Sequence, residues 1–146
     1  MFRKRRFSIW LLSCFLFIFS ASCTGCVQKE PEAKEYFKKA YQFIDAGYPQ
    51  EALELLNMAV EKDPKFIEAY YNRGVVLFSI NKDQEAMKDF QKVTELNPNF
   101  ASAYAGLGSI YESLNNQSEA IKNYRIAARL GNKETQDYLK QKGITW

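Results

Sequence analysis

From Ala33 onward, apolar residues recur three and four positions apart, the period of a helix with one buried face. The pattern also repeats as a whole. Tyr36, Tyr70 and Tyr104 stand 34 residues apart, and so do the small residues Ala40, Gly74 and Gly108. Phe43, Leu77 and Tyr111 keep that step, as do Ala52, Ala86 and Ala120, then Leu56, Phe90 and Tyr124, then Ala59, Val93 and Ala127. Pro64 and Pro98 close two units, with Asn132 in the third such place. Each unit is expected to be two amphipathic helices, A then B. Gly47, Asn81 and Asn115 fall between them, and these residue types tolerate the left-handed backbone that ends a helix. Pro49 suits the first turn of its B helix, Asp83 and Ser118 suit the N-caps of the other two, and Pro64 and Pro98 force an extended link.

The small residues predict how the helices meet. A small residue in A and an alanine in B allow close backbone approach, with larger side chains one turn away filling the space beside it. Gly74 and Gly108 each cost about 1 kcal/mol of helix propensity relative to Ala, so a steric need is expected at both. After the third unit, GNKETQDYLKQKG predicts one more helix, ended by Gly131 before it and Gly143 after it and capped by Asn132. Tyr138 and Leu139 face inward and the remainder is polar, the composition of a helix that covers the end of a stack.

This pattern resembles the tetratricopeptide repeat, whose 34-residue unit carries an aromatic, a Leu-Gly pair, a Tyr, an Ala, a Phe, an Ala and a closing Pro. The segment EAYYNRGVVLFSINKDQEAMKDFQKVTELNPNF matches nearly throughout; Lys39, Arg73 and Asn132 depart from the pattern. The resemblance implies an all-α fold: a right-handed superhelix of three helix-turn-helix units, at 33–66, 67–100 and 101–132, with a capping helix and tail at 133–146.

It also implies a concave, peptide-binding surface lined by the A helices. The inward places map onto Lys34, Phe37, Tyr41 and Asp45; onto Glu68, Tyr71, Asn72, Val75 and Ser79; and onto Ser102, Ala105, Ser109 and Glu112. The expected partner-binding groove is Phe37, Tyr41, Tyr71, Asn72 and Val75, with Ser109 and Glu112 at its far end. Aromatic floors of this kind suit apolar anchors of a partner segment. Alternatively, Phe37 and Tyr71 pack sideways on the next unit and Asn72 bonds backbone. One subfamily grips C-terminal carboxylates with Lys, Asn and Arg; here Ser102 and Gly106 occupy its cationic third-unit places and only Asn72 matches, which argues against acidic C-termini as ligands.

The first residues, MFRKRRFSIWLLSCFLFIFSASC, have another character. Four cations precede an uncharged run from Phe7 to Ala21, the order of a secretory signal. Its 15 residues fall short of the roughly 20 that span a bilayer core. Ser20-Ala21-Ser22-Cys23 resembles the lipobox of bacterial lipoproteins, implying a signal peptide at 1–22, a lipid on Cys23 and a tether at 23–32. Cys26 is the alternative lipid site, with an uncleaved anchor as the rival reading; Cys14 fits the letters of the motif, but cleavage there would leave a long apolar tail and almost no apolar signal run. Thr24 is not the Asp that commonly retains lipoproteins at an inner membrane, which implies an outer-membrane address in a two-membrane cell.

Charge and composition then narrow the function. The net charge is +3, but from Cys23 onward 16 basic residues face 17 acidic ones, so the folded part shows no nucleic-acid footprint. There is no histidine, and no cysteine follows Cys26. The Cys23-to-Cys26 spacing sits at the edge of a signal segment with no second ligand pair, so neither a metal nor any cofactor is expected. Nor is catalysis, because no nucleophile–base set or phosphate loop is present. The expected protein is a membrane-tethered scaffold that binds a protein partner, of the kind that assists assembly of envelope complexes. An exported soluble chaperone or carrier, or a regulatory subunit with a small-molecule site, are the rivals.

Overall fold

The computed structural model describes residues 32–146; the signal segment and the three cysteines lie outside them. The described chain forms seven helices: α1 (Ala33–Asp45), α2 (Pro49–Lys62), α3 (Ile67–Ser79), α4 (Asp83–Leu96), α5 (Ala101–Ser113), α6 (Gln117–Arg129) and α7 (Lys133–Gln141). The A helices α1, α3 and α5 begin 34 residues apart, and so do the B helices α2, α4 and α6. Each A helix packs antiparallel on its own B helix, and each B helix packs on the next A helix. The pairs therefore stack into a superhelix.

Local chemistry sets the breaks. Gly47, Asn81 and Asn115 have φ of +79°, +62° and +59°, the left-handed region that Gly and Asn enter at least cost. Pro49 occupies the first turn of α2. The links DPKF and NPNF fold alike: the Asp63 and Asn97 side chains accept from the N–H of Lys65 and Asn99 at 2.9 and 3.0 Å, and the Phe66 and Phe100 N–H groups return to the carbonyls of Asp63 and Asn97. These are Asx turns that let the chain round Pro64 and Pro98.

Two capping expectations need correction. Asp83 is the first residue of α4, following Lys82, and its carboxylate meets the Ser113 hydroxyl of α5 at 2.8 Å. Ser118 lies inside α6; Asn116 caps that helix, accepting from the Glu119 N–H at 3.3 Å. In both places the helix starts directly after the residue that follows the left-handed Asn, one residue earlier than expected at α4 and two earlier at α6, so Asp83 and Ser118 fall into the first turn.

The small residues act differently from the backbone-approach picture. A Cβ on Gly74 would lie 2.9 Å from the Phe90 ring, and one on Gly108 would lie 2.5 Å from the Tyr124 ring. What the glycine admits is the aromatic ring of the B helix. The first unit makes the same join with a different pair, Ala40 against Leu56, both fully buried. Phe90 is held from both sides, because a Cβ on Gly106 of α5 would also lie 2.7 Å from its ring.

The core runs through the stack in overlapping pieces. Ala40, Leu56 and Ala59 join Ala69 and Val76 of α3; Leu77, Phe90 and Val93 join Ala103, Leu107 and Ile110 of α5; Ala120 and Tyr124 join Leu139 of α7. Each A helix is thus core for its own unit and cover for the one before, the nearest-neighbour architecture of a repeat array. Burying Leu139 contributes about 1.5–3 kcal/mol to docking α7. Asn132 starts that helix, accepting from the Thr135 N–H at 2.9 Å, and Gly143, at φ +69°, ends it.

The other end is closed by composition. Where α3 has Ala69, Arg73 and Val76, and α5 has Ala103, Leu107 and Ile110, α1 carries Glu35, Lys39 and Gln42, all exposed. No helix covers that side of α1 among the described residues, and polar side chains meet water there. This accounts for Lys39 in a Leu place. It also corrects Phe43, expected in the core by its step to Leu77 and Tyr111: it is 37% exposed and rests edge-on against Tyr48 at 6.4 Å.

Candidate partner-binding groove

Helix α3 touches α5 directly, which places the A helices on the tighter, inner side of the stack. On α3, Glu68, Tyr71, Asn72 and Val75 share one face by helical spacing, and on α5 so do Ser102, Ala105, Ser109 and Glu112.

The expected groove residues divide by what they touch. Tyr41 is 50% exposed and Val75 is 41% exposed. Phe37 and Tyr71 are half-buried, and each meets the N-cap residue of the following A helix, the last residue of its own unit: Phe37 meets Phe66 and Tyr71 meets Phe100, both with ring centroids 5.0 Å apart. Tyr71 also lies 5.8 Å from Phe90. Both rings are therefore packed at the junction between units, and the sideways arrangement holds for both. Asn72 donates from its amide to the Glu68 carbonyl at 2.8 Å, a bond within its own helix.

Ser109 and Glu112 are tied into the C-terminal cap. The Tyr124 hydroxyl lies 2.9 Å from Glu112 Oε2 and 3.2 Å from Ser109 Oγ, while the Tyr138 hydroxyl donates to Glu112 Oε1 at 2.5 Å. The Tyr124 and Tyr138 rings pack at 5.0 Å. The Tyr138 bond, helped by Tyr124 and Lys142 and opposed by burial, holds Glu112 below the usual carboxylate range. Tyr124 is pushed up to about 12, mainly by burial, and Tyr138 to about 12, mainly by its bond to Glu112. Glu112 is thus a positioning group for α7 as well as an inner-face anion.

A pH dependence follows. Because the folded pKa of Glu112 is lowered, its stabilisation is present above the unfolded value of roughly 4.3 and is lost as pH falls through the folded value. The raised tyrosines stabilise below roughly pH 10, an effect lost as pH rises through about 12. Glu112→Gln is expected to lower Tm by on the order of 4 °C at pH 7, with the gap closing by pH 3. A gap unchanged at pH 3 would show that the carboxylate charge is irrelevant to the cap.

The third junction differs from the first two. The places of Phe37 and Tyr71 are followed by Ala105, and those of Phe66 and Phe100 by Glu134. Both rings are missing, and a hollow of about 180 Å³ opens there, lined by Tyr71, Val75, Phe78, Phe90, Ala105 and Gly106, with the polar residues Ser102, Ser109, Asn132 and Glu134. Sequence reasoning missed Phe78 and Glu134. The signal was available in the step Phe66, Phe100, Glu134, which breaks the aromatic register once.

Also missed was a polar join at the second unit. Arg73 donates to Asp89 twice, Nε to Oδ2 at 2.8 Å and Nη2 to Oδ1 at 2.7 Å, and from Nη1 to Asn57 Oδ1 of α2 at 2.9 Å. This explains Arg73 in a Leu place. A cleft of about 310 Å³ lies beside it; of the charged groups that line it, Arg73 pairs with Asp89 and Lys82 with Glu85, and Lys88 is the remaining cation.

Comparisons with known proteins agree with this architecture. Residues 67–100 and 90–122 match two tetratricopeptide repeat models, so this part of the chain carries such repeats. No curated protein matches it by sequence. Among solved structures it is similar to YrrB, described as a TPR protein with an unusual peptide-binding site, at 23% identity and TM-score 0.71, covering 76% of this chain and 58% of that one. It is similar to the first TPR domain of Spaghetti (RPAP3) bound to the HSP90 peptide SRMEEVD, at 24% identity and TM-score 0.71, covering 75% of this chain and 89% of that one. It is also similar to MamA, at 28% identity and TM-score 0.67, covering 77% and 69%. This chain therefore spans under two thirds of the length of YrrB.

Proposed function

We propose that this chain is a non-catalytic interaction scaffold, held at a membrane face by a lipid on Cys23, whose inner groove binds a segment of a partner protein during assembly of a cell-envelope complex. The observation that carries the binding role is the inner face of the A helices, where Tyr41 and Val75 are exposed and Tyr71 is half-buried. Apolar side chains left open beside a rigid, packed floor are the usual anchors of an interface. Peptide binding by structurally similar repeats supports it. The acidic peptide carried by the Spaghetti domain does not suit this groove, where Ser102 and Gly106 offer no cation.

The membrane role rests on the resemblance of Ser20 to Cys23 to a lipobox. Among the described residues no helix is long and apolar enough to cross a membrane, so in this reading the tether is the lipid. With Thr24 next to it, the address is the inner leaflet of an outer membrane in a two-membrane cell.

Crosslinking in the native envelope tests the binding role. Tyr41→Ala combined with Val75→Asp is expected to lower capture of the normal partner by about 30-fold, the weight of one hot spot of 2 kcal/mol. Equal capture would move the working surface to the convex side. Cys23→Ala is expected to release the chain from membranes; retention with a lipid-sized mass increment would assign the anchor to Cys26.

A further inference from the structure

Taking the inner groove as the binding surface, we infer that the hollow at the third junction is its specificity pocket, and that it takes an aromatic or large aliphatic side chain with a Lys or Arg close by in the partner segment. Three observations lead there. The first is register. The stack places a ring against a ring at its first two junctions, Phe37 on Phe66 and Tyr71 on Phe100, and at the third it places Ala105 opposite Glu134. Neither residue supplies a ring, and a hollow lies between them, so an incoming ring would complete the series.

The second is size and lining. The hollow measures about 180 Å³, and an apolar cavity of about 150 Å³ admits benzene. Its apolar lining is Tyr71, Val75, Phe78, Ala105 and the buried Phe90 ring, against which Gly106 packs, with the hydroxyls of Ser102 and Ser109 also lining it. The rings offer faces and edges at which an aromatic guest packs favourably.

The third is charge. No Lys or Arg lines the hollow, and none occupies the inner places of α3 and α5, which carry Glu68 and Glu112. Glu134 stands exposed at the edge. The N-terminus of α7 adjoins the hollow, but Asn132 already receives the Thr135 N–H, and Glu134 in the first turn offsets the helix dipole. A cation beside the anchor is therefore attracted, and an acidic segment is repelled.

Selection of a displayed random heptapeptide library on the purified full chain tests this. The expected outcome is enrichment of Phe, Tyr, Trp, Leu or Met with Lys or Arg within two positions of it. Ala105→Tyr, which restores the ring of the first two units and fills the hollow, is expected to weaken the selected peptides at least tenfold. Glu134→Lys, on the exposed edge, is expected to abolish the basic preference while keeping the apolar anchor; it carries the test where Ala105→Tyr lowers Tm. Selected peptides that bind Ala105→Tyr unchanged, or that are rich in Asp and Glu, overturn the pocket assignment while leaving groove binding intact. A library that yields no binder displaced by Tyr41→Ala with Val75→Asp overturns the groove itself, and the pocket with it.

Discussion

Phe90→Ala is expected to destabilise the chain by about 3–5 kcal/mol, the cost of emptying a fully enclosed aromatic site. The ring is 2% exposed and touches Gly74 on one edge and Gly106 on the other. Neither glycine has a side chain that can move in, so the cavity stays open and the full penalty applies. The ring also joins the second unit to the third. Stability in a repeat array is the sum of unit and junction contributions, and a small domain has a total of only about 5–15 kcal/mol. Urea unfolding followed both by far-ultraviolet circular dichroism and by tyrosine fluorescence checks both points: the midpoint should fall steeply, and the two probes should cease to coincide. A loss below about 1 kcal/mol with coincident probes would mean that the junction does not depend on this ring.

Asp89→Ala is expected to cost about 3 kcal/mol, because it strands the Arg73 guanidinium. The two side chains are 19% and 6% exposed. The guanidinium is held charged chiefly by its hydrogen bond to Asp89, against the effect of burial. Removing the carboxylate leaves the partly buried cation only the bond to Asn57 and the Tyr70 ring, 5.3 Å away. Replacing the pair as a unit has the opposite expectation. Arg73→Leu with Asp89→Asn installs what the third unit already uses, Leu107 with Asn123, where the Asn amide donates to the Glu119 carbonyl at 2.9 Å. That double variant is expected to match or exceed the stability of the parent chain, since well-packed apolar replacements of buried ion pairs are often neutral or stabilising. A double variant as unstable as Asp89→Ala would show that the bond from Arg73 to Asn57 of the preceding unit, and not the pair alone, holds α2 against α3.

How much of the groove was legible depends on where each side chain ends. Helical spacing puts Phe37, Tyr41, Tyr71 and Val75 on inward faces, because spacing alone decides the face of a helix. Spacing does not say what stands beyond that face. Phe37 and Tyr71 are taken up by Phe66 and Phe100, each 29 residues further along, while Tyr41 and Val75 stay exposed. Glu112 follows the same logic: its position was legible, but its two tyrosines come from α6 and α7, and only docking of the cap brings them to it.

The sequence by itself determined the units, their breaks and their ends. A 34-residue period, left-handed residues at Gly47, Asn81 and Asn115, and a polar helix after Gly131 are local properties of the backbone and of side-chain polarity, and they hold whatever the neighbours do. Tertiary structure alone decided what the glycines are for, why Arg73 and Lys39 replace leucine, and where the inner surface is hollow. Each of those is a relation between side chains on different helices, set by the volume one leaves and another fills. A one-dimensional pattern records the residue but not the ring that arrives opposite it.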